Sequence, residues 1–418
     1  MSRTIWQPYT HLQQDADPIE IVSANGVWLQ TRDGRKILDA ISSWWVNVHG
    51  HGHPVIASAI AEQANVLEQV IFSGFTHPQA EKLANRLVAL YPGNLKHVFF
   101  SDDGSTAVEV AIKMAWQYWT NSGHSKTTIL AFEGGYHGDT FGAMSVSGRS
   151  VFNSAFAQLL FDVRYLPSPA GNEVEKIIEL IDEYRSEAAA LIIEPLVQGA
   201  GGMLIHSPQV LSEIVRTSRE CNIPVIFDEV MTGFGRTGTL FAAEQIPDSP
   251  DIVCLAKGLT GGFLPLAVTL CNSRIQDAFV SQDRSKTLFH GHSYTANSIS
   301  CAAANASLDL FESGRMDDVR RISEFHQRNH PRLSALPGIV DVRICGTILA
   351  IEFRSGNTGG YLDLMGGDIR KFFLDRNILV RPLGNILYIM PPFVISNEEL
   401  DRVYGVISVT KTPFRVKN

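Results

Sequence analysis

Three apolar runs in the middle of the chain each close on a charged side chain. They are Ala190-Leu-Ile-Ile-Glu194-Pro195, Pro224-Val-Ile-Phe-Asp228-Glu229 and Asp251-Ile-Val-Cys-Leu-Ala-Lys257-Gly258. Burial lowers a lysine's pKa, so lysines are seldom buried unless paired or used chemically. A neutral amine in a crevice is what a Schiff base requires; the plainer reading of Lys257 is a strand-end lysine that snorkels to solvent. Asp228, ending the adjacent candidate strand, adds the partner such a lysine needs. A carboxylate that keeps a heterocyclic nitrogen protonated is what pyridoxal phosphate requires to act as an electron sink.

A third part lies upstream. Phe99-Phe-Ser-Asp102-Asp103-Gly104-Ser105-Thr106 runs from a strand into a helix, with Val108, Ala111, Ile112, Ala115 and Trp119 at helical spacing. Free amides at Gly104 and Ser105 offer a phosphate cradle, and an ordinary N-cap explains the same residues. Phosphate cradle, carboxylate and lysine follow in that chain order and support one another.

Other motifs point elsewhere and fall short. Gly233-Phe-Gly235-Arg-Thr-Gly238 matches a dinucleotide fingerprint, but it sits past mid-chain behind Asp228-Glu229, whose charges repel a pyrophosphate. No P-loop and no G-x-S-x-G occurs. His49-Gly-His51-Gly-His53-Pro54 reads as a turn rather than a metal site, so no metal is expected. Trp44 and Trp45 are adjacent, so one ring is expected in the core and the other on a pocket, or both in the core.

The elements that position these residues read as α/β. The three runs are about one βαβ unit apart, and Pro208 to Cys221 between the first two is an amphipathic helix. In an open parallel sheet ligands bind at the carboxyl ends of the strands, which brings Glu194, Asp228 and Lys257 to one crevice. From Gly338 onward alternation dominates (Val340, Val342, Ile344; Leu349, Ile351, Phe353; Ile386 to Met390), predicting a smaller α+β unit with antiparallel strands, reached through a helix over Ser300 to Phe311. The first 45 or so residues read as short strands. The expected division is 1–50 as part of the small unit, 51–305 as the large one, and 306–418 as the rest of the small one.

Composition excludes several classes. The 418 residues are 45% apolar and 19% charged, with 35 basic against 43 acidic side chains, a net charge of −8. That rules out a disordered chain and gives no footprint for nucleic acid or an anionic membrane. No apolar stretch approaches a membrane span, and Met1 to Trp6 opens no secretory segment. Cys221, Cys254, Cys271, Cys301 and Cys345 contain no Cys-x-x-Cys pair, which suits reduced thiols and a cytoplasmic enzyme.

Taken together, Gly134-Gly-Tyr136-His-Gly-Asp139-Thr, Ile193-Glu-Pro195, Phe227-Asp228-Glu229, Thr232-Gly-Phe-Gly-Arg236-Thr-Gly238 and Ala256-Lys257-Gly258 resemble the class III aminotransferases, fold-type I pyridoxal-phosphate enzymes. A second set, Trp6-Gln-Pro8-Tyr9-Thr10, Ser42-Ser-Trp44-Trp45, Gln198-Gly-Ala-Gly-Gly202, Arg381-Pro-Leu-Gly384 and Tyr388-Ile-Met-Pro-Pro392, resembles the branch that turns 8-amino-7-oxononanoate into 7,8-diaminononanoate in biotin biosynthesis. The resemblance spans roughly Trp6 to Pro392. It implies that Lys257 holds the cofactor and shuttles the proton, Asp228 pairs with the pyridinium nitrogen, Gly104 and Ser105 bind the phosphate, and Tyr136 covers the ring, with Gln198 within reach of the ring hydroxyl. It also implies a substrate pocket of Tyr9, Trp44, Tyr136, Asp139 and Arg236, with Arg381 on a substrate carboxylate. The loop Phe289-His290-Gly291-His292-Ser293 is implied to come from a neighbouring subunit of a homodimer. There Ser293 would reach the phosphate, His292 would lie beside it and Gly291 would face the substrate.

The chain departs from that pattern at Asp103, at His292 to Thr295 and at Leu383, where the amino donor would bind. S-adenosylmethionine is the expected donor and lysine its competitor. The alternatives are a class III transaminase for another ω-amine or ω-amino acid, and a catalytically silent relative acting as a binding protein.

Overall fold

The structure, a computed structural model, describes residues 4–13, 17–171, 173–355 and 363–409. Near the start, β1 (Ile21–Asn25), β2 (Trp28–Thr31) and β3 (Lys36–Asp39) form an antiparallel meander. Then come β4 (Leu95–Ser101), β5 (Thr128–Phe132), β6 (Val163–Leu166), β7 (Ala188–Ile193), the short hairpin β8 (Val197–Gln198) and β9 (Leu204–Ile205), β10 (Val225–Asp228), β11 (Ile252–Leu255) and β12 (Ala267–Asn272). The last strands are β13 (Ile339–Cys345), β14 (Ile348–Phe353), β15 (Ile378–Leu379) and β16 (Ile386–Ile389).

The main sheet has the order β4-β12-β11-β10-β7-β5-β6. β11, β10, β7, β5 and β6 pair in parallel, and β12 is antiparallel to both its neighbours. Alternate residues of each strand enter two separate cores. Ile193, Phe227 and Leu255 join one, and Ile192, Ile226 and Cys254 the other. A sheet covered on both faces needs strands that are apolar throughout, which is why the three runs read as continuous rather than alternating. The Pro208–Glu220 helix buries Leu211, Ile214 and Val215. The Ser298–Leu310 helix matches its predicted span within two residues.

β15 adds to β3 in parallel, so the start of the chain shares a sheet with its last third. β13, β14 and β16 form a separate antiparallel sheet. Val340 does not share the buried face of Val342: the β13 register shifts between Ile339 and Asp341, and Val340 is exposed. The five cysteines are all free thiols, Cys345 the least buried. Among the described residues no helix is long and apolar enough to cross a membrane.

Candidate active site

A cavity of about 790 Å³ lies at the carboxyl ends of β7, β10 and β11. Glu194, Asp228 and Lys257 all line it, as do Gly104, Ser105, Tyr136, Asp139, Trp44, Tyr9 and Arg381.

Each wall has a local cause. The Gly104–Asn121 helix begins at Asp103, whose carboxylate accepts from the Thr106 amide (3.0 Å) while the Thr106 hydroxyl accepts from the Asp103 amide (3.1 Å). The predicted N-cap is therefore real, and it coexists with a cavity-facing turn. A Cβ on Gly104 would lie 2.6 Å from Val230, so this turn passes the segment after β10 too closely for a side chain. The Ser105 hydroxyl accepts from the Asp139 amide at 3.3 Å, tying the turn to the loop after β5.

Lys257 follows β11 with φ +44°, in the left-handed region that non-glycine residues rarely enter. Such strain persists where the surroundings over-determine it, commonly at functional sites. The side chain is half-buried and opens on the cavity, its Nζ 4.9 Å from the centre of the Trp45 ring. Burial pulls its pKa below the usual ammonium value, against the opposing pull of Asp228 and Glu194. That favours the unprotonated amine.

Asp228 is buried, one oxygen accepting from the Val230 amide (3.1 Å) and the other 2.7 Å from His137 Nδ1. Burial opposes a charge on His137, but its hydrogen bond to Asp228 and the charges of Asp228 and Glu194 outweigh this and raise its pKa. Sequence reading missed His137. It stands inside the Gly134-to-Thr140 motif, yet its partner is 91 positions away and no local pattern announces the pair.

At the mouth, the Tyr9 hydroxyl donates to Asp139 and lies 3.3 Å from the Tyr136 hydroxyl. Burial, helped by Tyr9 and Asp139, pushes the Tyr136 phenol far above its ordinary range, so it stays neutral. The Arg381 guanidinium sits 4.2 Å from the Trp44 ring centre and 5.6 Å from that of Tyr9, an arrangement suited to cation–π attraction. Both tryptophans border the cavity, Trp45 from the buried side with its indole N–H on Tyr388 (3.0 Å). Trp45 packs in the core and Trp44 lines the pocket, the first of the two expected arrangements, with the edge of Trp45 reaching the cavity as well.

Arg236, expected in the substrate pocket, and Gln198, expected near the ring hydroxyl of the cofactor, are not among the residues lining the cavity. Arg236 is buried behind the wall, donating to the backbone oxygens of Pro391 (2.9 Å) and Trp45 (3.1 Å), its charge over the Phe393 ring. It is a strut for Trp45 rather than a lining residue. The Gln198 amide is committed to the Glu133 carbonyl (2.8 Å) and the Ser168 hydroxyl (3.0 Å) beyond the cavity wall. Gly291, His292 and Ser293 are also not among the residues lining the cavity of their own chain. The His292 ring nitrogen is 3.8 Å from Asp102 at its edge, and Phe289 and Tyr294 on that loop stand exposed. His49 and His51 are held by Ser307 and Asp39 respectively.

The residues present suit pyridoxal phosphate. An amine of lowered pKa, a buried carboxylate and an amide-bearing helix start open on one cavity. Comparison with known proteins agrees. The Aminotransferase class-III family model matches residues 10–410. The chain belongs to the class III aminotransferases.

Among members of this class, a Synechococcus elongatus protein named adenosylmethionine-8-amino-7-oxononanoate aminotransferase is 47% identical, covering 97% of both chains. The Mycobacterium leprae protein of the same name is 39% identical, covering 96% of this chain and 93% of its own. The crystal structure of the Methanocaldococcus jannaschii protein of that name superimposes with a TM-score of 0.92 at 34% identity, covering 97% and 96%. An amine transaminase from an uncultivated Pseudomonas species, solved with pyridoxal phosphate bound, gives 0.92 at 30% identity over 99% and 100%. This class III chain is thus a fold-type I, pyridoxal-phosphate-dependent transaminase.

Proposed function

We propose that this chain transfers an amino group to 8-amino-7-oxononanoate, giving 7,8-diaminononanoate for biotin, with S-adenosylmethionine as donor. The observation that carries the reading is the mouth of the cavity. The Arg381 guanidinium, stacked on Trp44 and Tyr9, stands ready for a carboxylate, and the Asp139 carboxylate, bonded to Tyr9, for an ammonium. An acceptor carrying both an amino group and a carboxylate suits that pairing. The names of the relatives support the same acceptor and donor.

Bound pyridoxal phosphate supplies the electron sink. The protein's part is to place and to move protons. Gly104 and Ser105 would receive the phosphate at the helix start, Tyr136 would cover the ring, and Asp228, steadied by His137, would hold the ring nitrogen. Lys257 Nζ takes the proton from the carbon that bears the donor's amino group and later delivers one to the acceptor's carbonyl carbon. The aromatic wall of Trp44, Trp45 and Tyr136 keeps water from that carbon. We assign the cofactor-bearing unit to 51–305, with 1–50 and 306–418 as the smaller one, the β3–β15 pairing favouring this division. Buried free thiols favour the cytoplasm.

The working form is a homodimer in which the exposed loop around Phe289 and Tyr294 carries Gly291, His292 and Ser293 to the neighbouring cavity. Mixing Lys257→Ala with a variant disrupted at Ser293 should restore activity through hybrid sites, and a fully active monomer in sedimentation would overturn the arrangement. Lysine as donor is favoured by one observation, Leu383 in the cavity wall. A single-turnover assay decides the donor. S-adenosylmethionine should bleach the visible band of the bound cofactor and 8-amino-7-oxononanoate restore it. Bleaching by lysine alone overturns the donor and leaves the acceptor.

A further inference from the structure

Glu194 takes part in none of the steps above, yet its carboxyl is buried and opens on the same cavity as Lys257 and Asp228. A carboxyl taken out of water is costly unless its oxygens find donors. Here both do, and both donors are backbone. Oε1 accepts from the Tyr136 amide at 3.0 Å and Oε2 from the Gly199 amide at 2.9 Å. One side chain from the end of β7 therefore ties together two loops that are otherwise far apart in the chain.

The fit around it is close. A Cβ on Gly199 would lie 2.9 Å from the terminal methyl of Met231, 3.5 Å from the Glu194 oxygen and 3.7 Å from Trp45, so residue 199 is packed closely on the bridge. Asp228 is already engaged with His137. Glu194 is thus a second carboxyl on the cavity that Lys257 also lines. We propose that Glu194 is a positioning residue of the transamination site: its two backbone bonds fix the Tyr136 and Gly199 loops against the cavity that Lys257 and Asp228 line.

The groups facing Glu194 give it an electrostatic part as well. Burial pushes its pKa up to about 7, with Asp228 adding to the rise and His137 and the two backbone bonds opposing it. Its charge in turn raises the proton affinity of Lys257, alongside that of Asp228 and against Arg236. The carboxylate accepts from both amides, whereas the amide of a glutamine presents one oxygen and one NH2 group, so it keeps one bond and loses the other along with the charge.

The proposal rests on the pyridoxal-phosphate reading, and two variants of the holoenzyme separate its parts. Glu194→Gln removes the charge. The pH midpoint of the bound cofactor's visible absorbance, which titrates with the Lys257 nitrogen, should fall by roughly one unit, the scale on which a neighbouring charge acts. Glu194→Asp keeps the charge but shortens the reach. Its midpoint should stay within a few tenths of wild type, while hydrogen exchange of the Tyr136 amide quickens about tenfold, as for one hydrogen bond of ordinary strength. An unchanged midpoint in Glu194→Gln overturns the electrostatic role, and unchanged exchange in Glu194→Asp overturns the bridge. A wild-type protein that takes up no pyridoxal phosphate and shows no visible band fails the cofactor reading instead.

Discussion

His137 Nδ1 and an oxygen of Asp228 stand 2.7 Å apart, both side chains buried. With its other oxygen on the Val230 amide, the carboxylate is fixed in direction before any cofactor arrives. Breaking a buried pair by removing one partner typically costs about 3–5 kcal/mol, because the other charge is left uncompensated. We expect His137→Asn to lower unfolding free energy on that scale and to slow half-transamination. Denaturant unfolding beside a stopped-flow half-reaction checks both, and wild-type values in the two together would remove His137 from the site.

Lys257 combines a cavity-facing amine with a left-handed backbone, and two variants separate their effects. Lys257→Ala should lose at least about 10²–10⁴-fold in turnover, the usual worth of a positioned proton carrier. Lys257→Gly should be equally inactive but more stable than Lys257→Ala by about 1 kcal/mol, because glycine adopts φ +44° without the Cβ penalty. Equal melting of the two variants would mean that the turn after β11 stores no strain.

Arg381 and Arg236 should respond in opposite ways. Arg381→Met removes the cavity guanidinium, so KM for the carboxylate-bearing acceptor should rise by roughly ten- to a hundredfold, a charged hydrogen bond's worth, with little change in melting. Arg236→Met leaves the carbonyls of Trp45 and Pro391 without donors in the core and should destabilise the chain by about 2–4 kcal/mol. In that variant kcat should suffer more than acceptor KM, through Trp45. Steady-state kinetics and thermal melts of both variants provide the comparison, and a large KM effect from Arg236→Met would return that residue to the pocket.

Glu229, next to Asp228, is buried with donors from Tyr91 (2.8 Å), Ala242 (2.7 Å) and Ala243 (3.1 Å). Burial raises its pKa from 4.5 to about 7 despite those bonds. Because the folded value lies above the unfolded one, its contribution to stability is complete below 4.5 and is lost as pH rises through about 7. Glu229→Gln has no such titration. Its destabilisation, about 1–3 kcal/mol from a mispaired donor, should therefore be largest in acid and shrink on the alkaline side. Denaturant unfolding of both proteins across that window tests the sign.

Much of the site was legible because charge and apolarity met at strand ends. Glu194, Asp228 and Lys257 each close a run whose other residues belong inside a two-faced sheet, and the parallel topology then leaves them one place to converge. The helix start at Gly104 was legible for the same local reason. His137 and Arg236 were not, since a buried polar residue is explained by its partners. Those partners, Asp228 for one and the backbone of Trp45 and Pro391 for the other, lie far along the chain. The split between Trp45 in the core and Trp44 on the pocket was legible from their adjacency, whereas the positive φ at Ser42, Ser43 and Trp45 that produces it was not.

β4 leads directly into the turn at Gly104 and Ser105, and in the main sheet it is hydrogen-bonded to β12 alone. During synthesis the ribosome therefore releases this strand long before residues 267–272 exist to pair with it. The turn at Gly104 and Ser105 matures late, after Lys257 has been made, and the half-built chain carries an open apolar strand edge in the meantime. Nascent chains stalled before residue 267 should be the ones that chaperones hold longest, because non-local pairing closes only once both strands are available.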